Sequence, residues 1–233
     1  MAVIELKNYC MPAEDTEPAL APFDFFLAPG DVCTIQTDAT DIGHQFLKAL
    51  AMISPPVSGE YLCDGHTLSR RRYDEWLQYR RRICYIGPVS ALISNMSIRE
   101  NLLLSRFYYE NDLSVALSAD VKRLCQAAGL GAKLSARPGE LSPLDRRIVI
   151  AIRELTREAS LVILDNPEDL AGHHTFDLLV DHLRGLHRQG VPMVIMSEGD
   201  NPIRQMITRS VTIIGGCLRE DERTLAEQIE ALR

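Results

Sequence analysis

The sequence predicts an α/β fold built on a mostly parallel sheet, and three observations carry that expectation. Short β-branched runs alternate along the chain with segments of helical period. Several of the runs are apolar without alternation, the pattern of strands covered on both faces. At Asp31 to Leu50, "DVCTIQTDATDIGHQFLKAL", a strand, a polar loop and an amphipathic helix follow one another directly.

Six runs read as strands: "AVIEL" (2–6), "VCTIQ" (32–36), "RICYI" (82–86), "LVILD" (161–165), "PMVIMS" (192–197) and "VTIIGG" (211–216). Helices fall between them. Ile42, Phe46, Leu50 and Ile53 recur at three- and four-residue spacing, as do Val149, Ile152 and Leu155. Phe176, Leu179, Val180, Leu183 and Leu186 line a further face that Gly190 ends. From about residue 73 to 136 the pattern turns mostly helical and more charged, which reads as a helical subdomain inserted into one domain spanning 1–233.

The 233 residues are 46% hydrophobic and 24% charged, enough to bury a core as one domain. A net charge of −7, with no extended basic stripe, argues against a nucleic-acid partner and for a soluble acidic protein. Cys10, Cys33, Cys63, Cys84, Cys125 and Cys217 form no C-x-x-C pair, so reduced cytosolic thiols are expected and three of them read as core residues. The N-terminus lacks a signal-peptide pattern, and no window reaches the roughly 18 apolar residues of a membrane span. Membrane association would be peripheral.

Taken in order, the pieces resemble the ATP-binding cassette of ABC transporters over nearly the whole chain. "PPVSGEYLCDG" (55–65) is similar to the segment after the P-loop helix, and "YRRRICYIGPVSALISNMSIRENLLL" (79–104) to the Q-loop region. "PGELS" (138–142) followed by a helix resembles the signature motif, "LVILDNP" (161–167) Walker B, and "VTIIGGCL" (211–218) the closing hairpin. The resemblance implies a P-loop NTPase-like cassette with a mostly parallel core sheet, an N-terminal antiparallel β portion and the helical insertion. It also implies a cytoplasmic location on the inner face of the membrane.

The nucleotide chemistry of such a cassette is substituted at nearly every station. Walker A reads G-x-x-x-x-G-K-[ST], so that backbone N–H groups approach phosphate, lysine neutralises it and the hydroxyl holds Mg²⁺. Those positions fall on Thr37, Ile42, Gly43 and His44. The Q-loop glutamine position is Pro88, and the signature is Leu141, Ser142, Pro143, Leu144 and Asp145. The carboxylate after the Walker B aspartate is Asn166, and the switch histidine position is Glu198. Asp165 and Ser142 alone survive, and an adenine-stacking tyrosine is missing unless Tyr9 takes that role.

Asp38 and Asp41 bring carboxylates to the loop, with Asp41 expected as the N-cap of the helix at Ile42. Ser142, Pro143 and Asp145 have the spacing of a near capping box. Two origins stay open for the aspartates, repulsion of phosphate or drift to good capping residues, and both imply weak ATP binding. Like charges about 4 Å apart cost on the order of 4 kcal/mol at an effective dielectric of about 20.

Other constellations read as bland. Lys48 is expected to be an exposed lysine and not a substitute phosphate ligand. His174, Asp177 and Asp181 lie within helical reach but read as a solvated face, so no metal is expected. "RRRYDEWLQYRRR" (70–82) reads as a solvated helix able to approach anionic lipid or an acidic partner.

"NMSIREN" (95–101) is well kept although no nucleotide chemistry depends on it. By resemblance this region borders the groove for a membrane subunit, which makes Tyr85, Met96, Ile98 and Arg99 docking candidates. The expectation is therefore a catalytically inactive cassette, a pseudo-ATPase without bound cofactor, docking a transmembrane permease and pairing with an active cassette. Its competitors are a divergent ATPase using ATP and Mg²⁺ through Asp165, His44 and Lys48, and a soluble scaffold that meets no transporter.

Overall fold

The computed structural model describes residues 3–12, 19–68, 73–167, 173–197 and 202–220. The chain begins with strands β1 (Ile4–Cys10), β2 (Phe23–Leu27) and β3 (Val32–Thr37), then helix α1 (Thr40–Leu50). Strands β4 (Ser58–Cys63) and β5 (His66–Thr67), helix α2 (Tyr73–Arg80) and strand β6 (Ile83–Ile86) follow. Helices α3 (Ile98–Glu110), α4 (Ala119–Ala127) and α5 (Pro143–Leu155) come next, then β7 (Leu161–Asp165), α6 (His173–Arg188) and β8 (Met193–Met196). A hairpin of β9 (Arg209–Ile214) and β10 (Cys217–Glu220) closes the described chain.

The core sheet has the order β10-β9-β3-β8-β7-β6, with every neighbour parallel except the β9/β10 hairpin. A second, antiparallel sheet has the order β2-β1-β4-β5. All six strands read from the sequence are present. β2 and β4 belong to the expected N-terminal antiparallel portion, although neither was delimited from the sequence.

β7 explains why its run does not alternate. Leu161 and Ile163 face the core shared with α1 and the antiparallel sheet, while Val162 and Leu164 face the one shared with α5 and α6. Complete burial of each such side chain contributes about 1.5–3 kcal/mol. In β1 a bulge at Asn8, held at φ 43°, shifts the register and returns Tyr9 to the interior. Gly59 lies opposite, where any Cβ would stand 2.1 Å from the Asn8 carbonyl oxygen.

The helical subdomain differs from its expected limits of 73–136. β6 belongs to the core sheet, and Trp76 of α2 packs into the core between the two sheets. A separate helical core starts at Ile98 and runs through α3, α4 and Leu141 to Ile152 of α5. The strand read at 82–86 is β6 itself, so residues 73–97 cross back into the sheet and do not belong to the helical core.

Burial pushes the thiols of Cys33, Cys63 and Cys84 up to about 12, so they serve as inert core residues. All six cysteines are free.

Candidate functional site

The carboxyl ends of β3, β7 and β8 converge on the first turns of α1, the position at which open α/β sheets hold ligands. α1 begins at Thr40 with Ala39 as its N-cap, and no side chain caps it. Asp41 is therefore not the cap. It stands exposed in the first helical turn, where its charge favours the helix dipole.

The loop is held by other bonds. Thr37 Oγ1 accepts from the Ala39 N–H at 3.1 Å and donates to the Ala39 carbonyl at 2.8 Å. Asp38 Oδ2 accepts from the Gly215 N–H at 2.9 Å, and the Asp38 N–H donates to Ile213 O at 3.2 Å. The Asp38 carboxylate thus fastens the loop to the β9/β10 hairpin.

Below the loop, Ile42 is buried and Gly43 is covered by Met196, whose Sδ would lie 2.4 Å from a Cβ added at Gly43. His44 Nδ1 is 2.8 Å from Asp165 Oδ2, and the Tyr85 hydroxyl donates to the same oxygen at 2.9 Å. The Asp165 side chain is 0% exposed, and its Oδ1 is buried without a protein partner.

Burial raises the Asp165 carboxyl above its ordinary range against the opposing pull of His44, Tyr85 and Lys48. Burial first, then the neighbouring carboxylate, raises the Tyr85 phenol, which keeps its proton and acts as a donor. Lys48 is half-buried and close enough to act electrostatically on Asp165, so it is not the simple exposed lysine expected. Gly87 packs over this network: a Cβ there would lie 2.7 Å from Tyr85 Oη and 2.9 Å from Asp165 Cβ.

Asn166 follows Asp165 in the left-handed region, φ 52°, and its N–H donates to Met196 O at 2.9 Å. Pro88 is exposed in a turn that the Gly87 N–H closes on Ser90 Oγ at 3.1 Å. Glu198 lies outside the described residues, as does the side chain of His174. Asp177 and Asp181 are exposed, Asp181 pairs with Arg184, and no group of three metal-binding side chains occurs among the described residues. Tyr9 is fully buried, and its hydroxyl donates to Ser54 O at 2.8 Å, so it offers no surface to a base.

At the signature position the capping expectation holds. Ser142 Oγ accepts from the Asp145 N–H at 3.0 Å, and Pro143 opens α5. Lys133 Nζ, 2.7 Å from Asp145, holds that carboxyl below its usual range, with Ser142 adding to the effect. Leu144 is left exposed beside them.

The sequence model of the ABC transporter family matches residues 45–169, more than half of the chain. The chain belongs to the ABC transporter family. A macrolide export ATP-binding/permease protein, MacB of Marinobacter nauticus, is 25% identical over 205 residues, covering 88% of this chain and 32% of that protein. The chain thus spans about a third of the length of MacB. The LolD ATP-binding protein of a lipoprotein-releasing system in Shewanella frigidimarina is 26% identical over 94% of this chain and 92% of its own. The fold matches that of a dimeric bacterial ABC transporter cassette at a TM-score of 0.78 and 20% identity, over 95% of this chain and 98% of that one.

For an ABC cassette, the docking candidates fall into two groups. Ile98 is fully buried in the helical core and is therefore no surface residue. Ser97 and Glu100 form a capping box, and Asn101 is fully buried and bonded to the backbone at Ile93, Met96 and Ser97, so "NMSIREN" is kept for folding. Met96 is half-buried and Arg99 exposed, but neither lines a cavity among those described. Tyr85 does, and the same ring reaches Asp165.

Sequence reasoning missed Met196 over Gly43, the Tyr85 hydroxyl on Asp165, and the Arg153–Glu154–Arg157 cluster behind them. The cluster alone had a signal: Arg153 and Glu154 directly follow the apolar run Ile148 to Ile152 of α5, and Arg157 lies just past the helix end. Among the described residues, no helix is long and apolar enough to cross a membrane.

Proposed function

We propose that this ABC cassette is a pseudo-ATPase, a structural or regulatory subunit that docks a transmembrane permease and pairs with an active cassette. The observation that carries the reading is the His44–Asp165 contact at 2.8 Å. By resemblance these positions would supply a hydroxyl and a carboxylate to a nucleotide-bound Mg²⁺; here an imidazole occupies the carboxylate directly. Gly43 offers no cation where the lysine would stand, and Met196 covers it. These side chains do not fit a magnesium nucleotide, and no catalytic step is assigned to them.

The names of the similar proteins support the membrane setting: one is an export ATP-binding/permease protein and the other the ATP-binding protein of a releasing system. The dimeric cassette with the same fold supports pairing. A cytoplasmic position on the membrane face follows from that role. Isothermal titration of the isolated chain with MgATP is the test: binding weaker than millimolar is expected, and micromolar affinity or turnover would overturn the pseudo-ATPase reading in favour of a divergent ATPase.

A further inference from the structure

A hollow of about 600 Å³ opens at the amino ends of β6 and β7, the opposite end of those strands from the contact between Tyr85 and Asp165. Arg81 and Arg82 line it from the turn between α2 and β6, Arg157 and Glu158 from the turn between α5 and β7, and Leu186 and Gln189 from the end of α6. Three arginines therefore surround it against one carboxylate, in a chain whose net charge is −7. The two turns are bonded to each other: the Ser160 N–H donates to Arg82 O at 2.7 Å, and Arg157 Nη2 donates to Arg81 O. Glu154, 2.7 Å from Arg157 Nη1, fixes that guanidinium further. Arg82 is exposed and makes no side-chain hydrogen bond or ion pair among the described residues, while Arg81 lies over the Tyr109 ring at 5.5 Å. The helix dipole accounts for a cation at Arg80, in the last turn of α2, but Arg81 and Arg82 lie beyond that helix.

From these contacts we infer that the hollow is a binding site for a phosphate monoester, held by Arg81, Arg82 and Arg157. The charge decides the ligand class. A single guanidinium fork matches a carboxylate, whereas a phosphate monoester carries about −1.5 to −2 charges at pH 7 and three acceptor oxygens, enough to engage three arginines. The bonded turns fix the backbone that carries these arginines before a ligand arrives, which lowers the ordering cost of binding. Gln189, exposed at the rim, adds a neutral amide donor, and half-buried Leu186 offers apolar surface to the carbon side of the ester. The same phosphate chemistry occurs in a free small ester and in the headgroup of phosphatidic acid. Because the hollow lies at the far end of the strands from Asp165, the inference goes beyond the pseudo-ATPase reading and does not depend on it.

Isothermal titration of the full chain with glycerol 3-phosphate tests it, with acetate as the singly charged control. Co-sedimentation with vesicles of phosphatidylcholine containing phosphatidic acid, against phosphatidylcholine alone, forms the second arm. Saturable binding of one glycerol 3-phosphate per chain is expected, with no binding of acetate in the same salt. Arg81→Gln with Arg82→Gln should weaken it at least about tenfold with an unchanged thermal melt, and Glu158→Gln should tighten it about threefold. Alongside that binding, sedimentation that requires phosphatidic acid and is lost in the double variant assigns the phosphate to a lipid headgroup, and absence of sedimentation assigns it to a free ester. Failure to bind glycerol 3-phosphate overturns the inference even if vesicles bind, because vesicle binding alone needs only a diffuse basic face. Equal binding of acetate overturns it, as does an affinity that neither the double substitution nor Glu158→Gln moves.

Discussion

His44 Nδ1 lies 2.8 Å from Asp165 Oδ2 although the two residues are 121 positions apart. The contact joins the second turn-face of α1 to the end of β7, and Tyr85 completes it from β6. Removing one member of such a network strands the others, whereas an isosteric neutral partner keeps acceptors in place. His44→Ala is expected to lower stability by about 1–3 kcal/mol. Asp165→Asn should leave stability at pH 7 unchanged or slightly higher, because it removes a charge that burial disfavours. Urea denaturation of the two variants would reject this account if Asp165→Asn were the more damaging.

The raised Asp165 carboxyl also sets a pH dependence. An ordinary unfolded aspartate titrates near about 3.9. Between that value and its higher folded value, the native state binds more protons than the unfolded chain, so this group's contribution to stability falls as pH rises. Below the unfolded value the contribution is constant. The urea midpoint of the parent minus that of Asp165→Asn should therefore decline from pH 4 upward and then level. A difference that rises with pH across this window would mean that His44, Tyr85 and Lys48 outweigh burial. Subtracting the variant cancels Asp145, whose lowered carboxyl loses stability only as acid approaches its folded value.

Strand runs were legible wherever apolar period and β-branching agreed, as in β3, β7 and β8. β2 was hidden because "FDFFL" is short and follows a proline-rich stretch, and β4 because "SGEYLC" begins on turn residues. The order of motifs along the chain made the cassette recognisable and placed His44 and Asp165 at one site. What no local pattern carried was the strand order. Only the adjacency of β6 and β7 puts Tyr85 against Asp165, and only that of β3 and β8 puts Met196 over Gly43. The Asp41 cap failed because the helix starts at Thr40, one residue before the aspartate, while Thr37 ties down Ala39.

Two glycines make a matched pair. Gly87→Ala would drive a Cβ to 2.8 Å from the Tyr85 ring carbon bearing the hydroxyl and 2.9 Å from Asp165 Cβ, neither of which is the free end of a flexible chain. Overpacking of that kind costs about 1–3 kcal/mol. Gly185 sits inside α6 with nothing within 4 Å of an added Cβ, so Gly185→Ala should stabilise by about 1 kcal/mol through helix propensity alone. Thermal melts of opposite sign are expected. A neutral Gly87→Ala would show that Tyr85 leaves Asp165 readily.

Ser142 retains a residue type of the signature but is used here as an N-cap for α5. Ser142→Ala should cost about 1 kcal/mol of stability, and Ser142→Asp should recover most of it, since either side chain can accept from the Asp145 N–H. Equal urea midpoints for the parent and Ser142→Ala would remove the capping role.

Glu154 is buried between Arg153 and Arg157, and each arginine also reaches a backbone carbonyl across the subdomain boundary, Arg153 that of Ala91 and Arg157 that of Arg81. The cluster thereby holds α5 against the entry and exit of β6. Deleting the glutamate alone leaves two partly buried guanidinium groups without their counter-charge, so Glu154→Ala is expected to cost about 3 kcal/mol. Replacing all three together, Arg153→Met with Glu154→Leu and Arg157→Met, removes the desolvation cost along with the attraction. That triple variant should lie within about 1 kcal/mol of the parent in urea, well above Glu154→Ala. If the triple variant is as unstable as Glu154→Ala, the bonds to Ala91 and Arg81 matter more than the ion pairs, and the boundary is held by the backbone contacts of the two arginines.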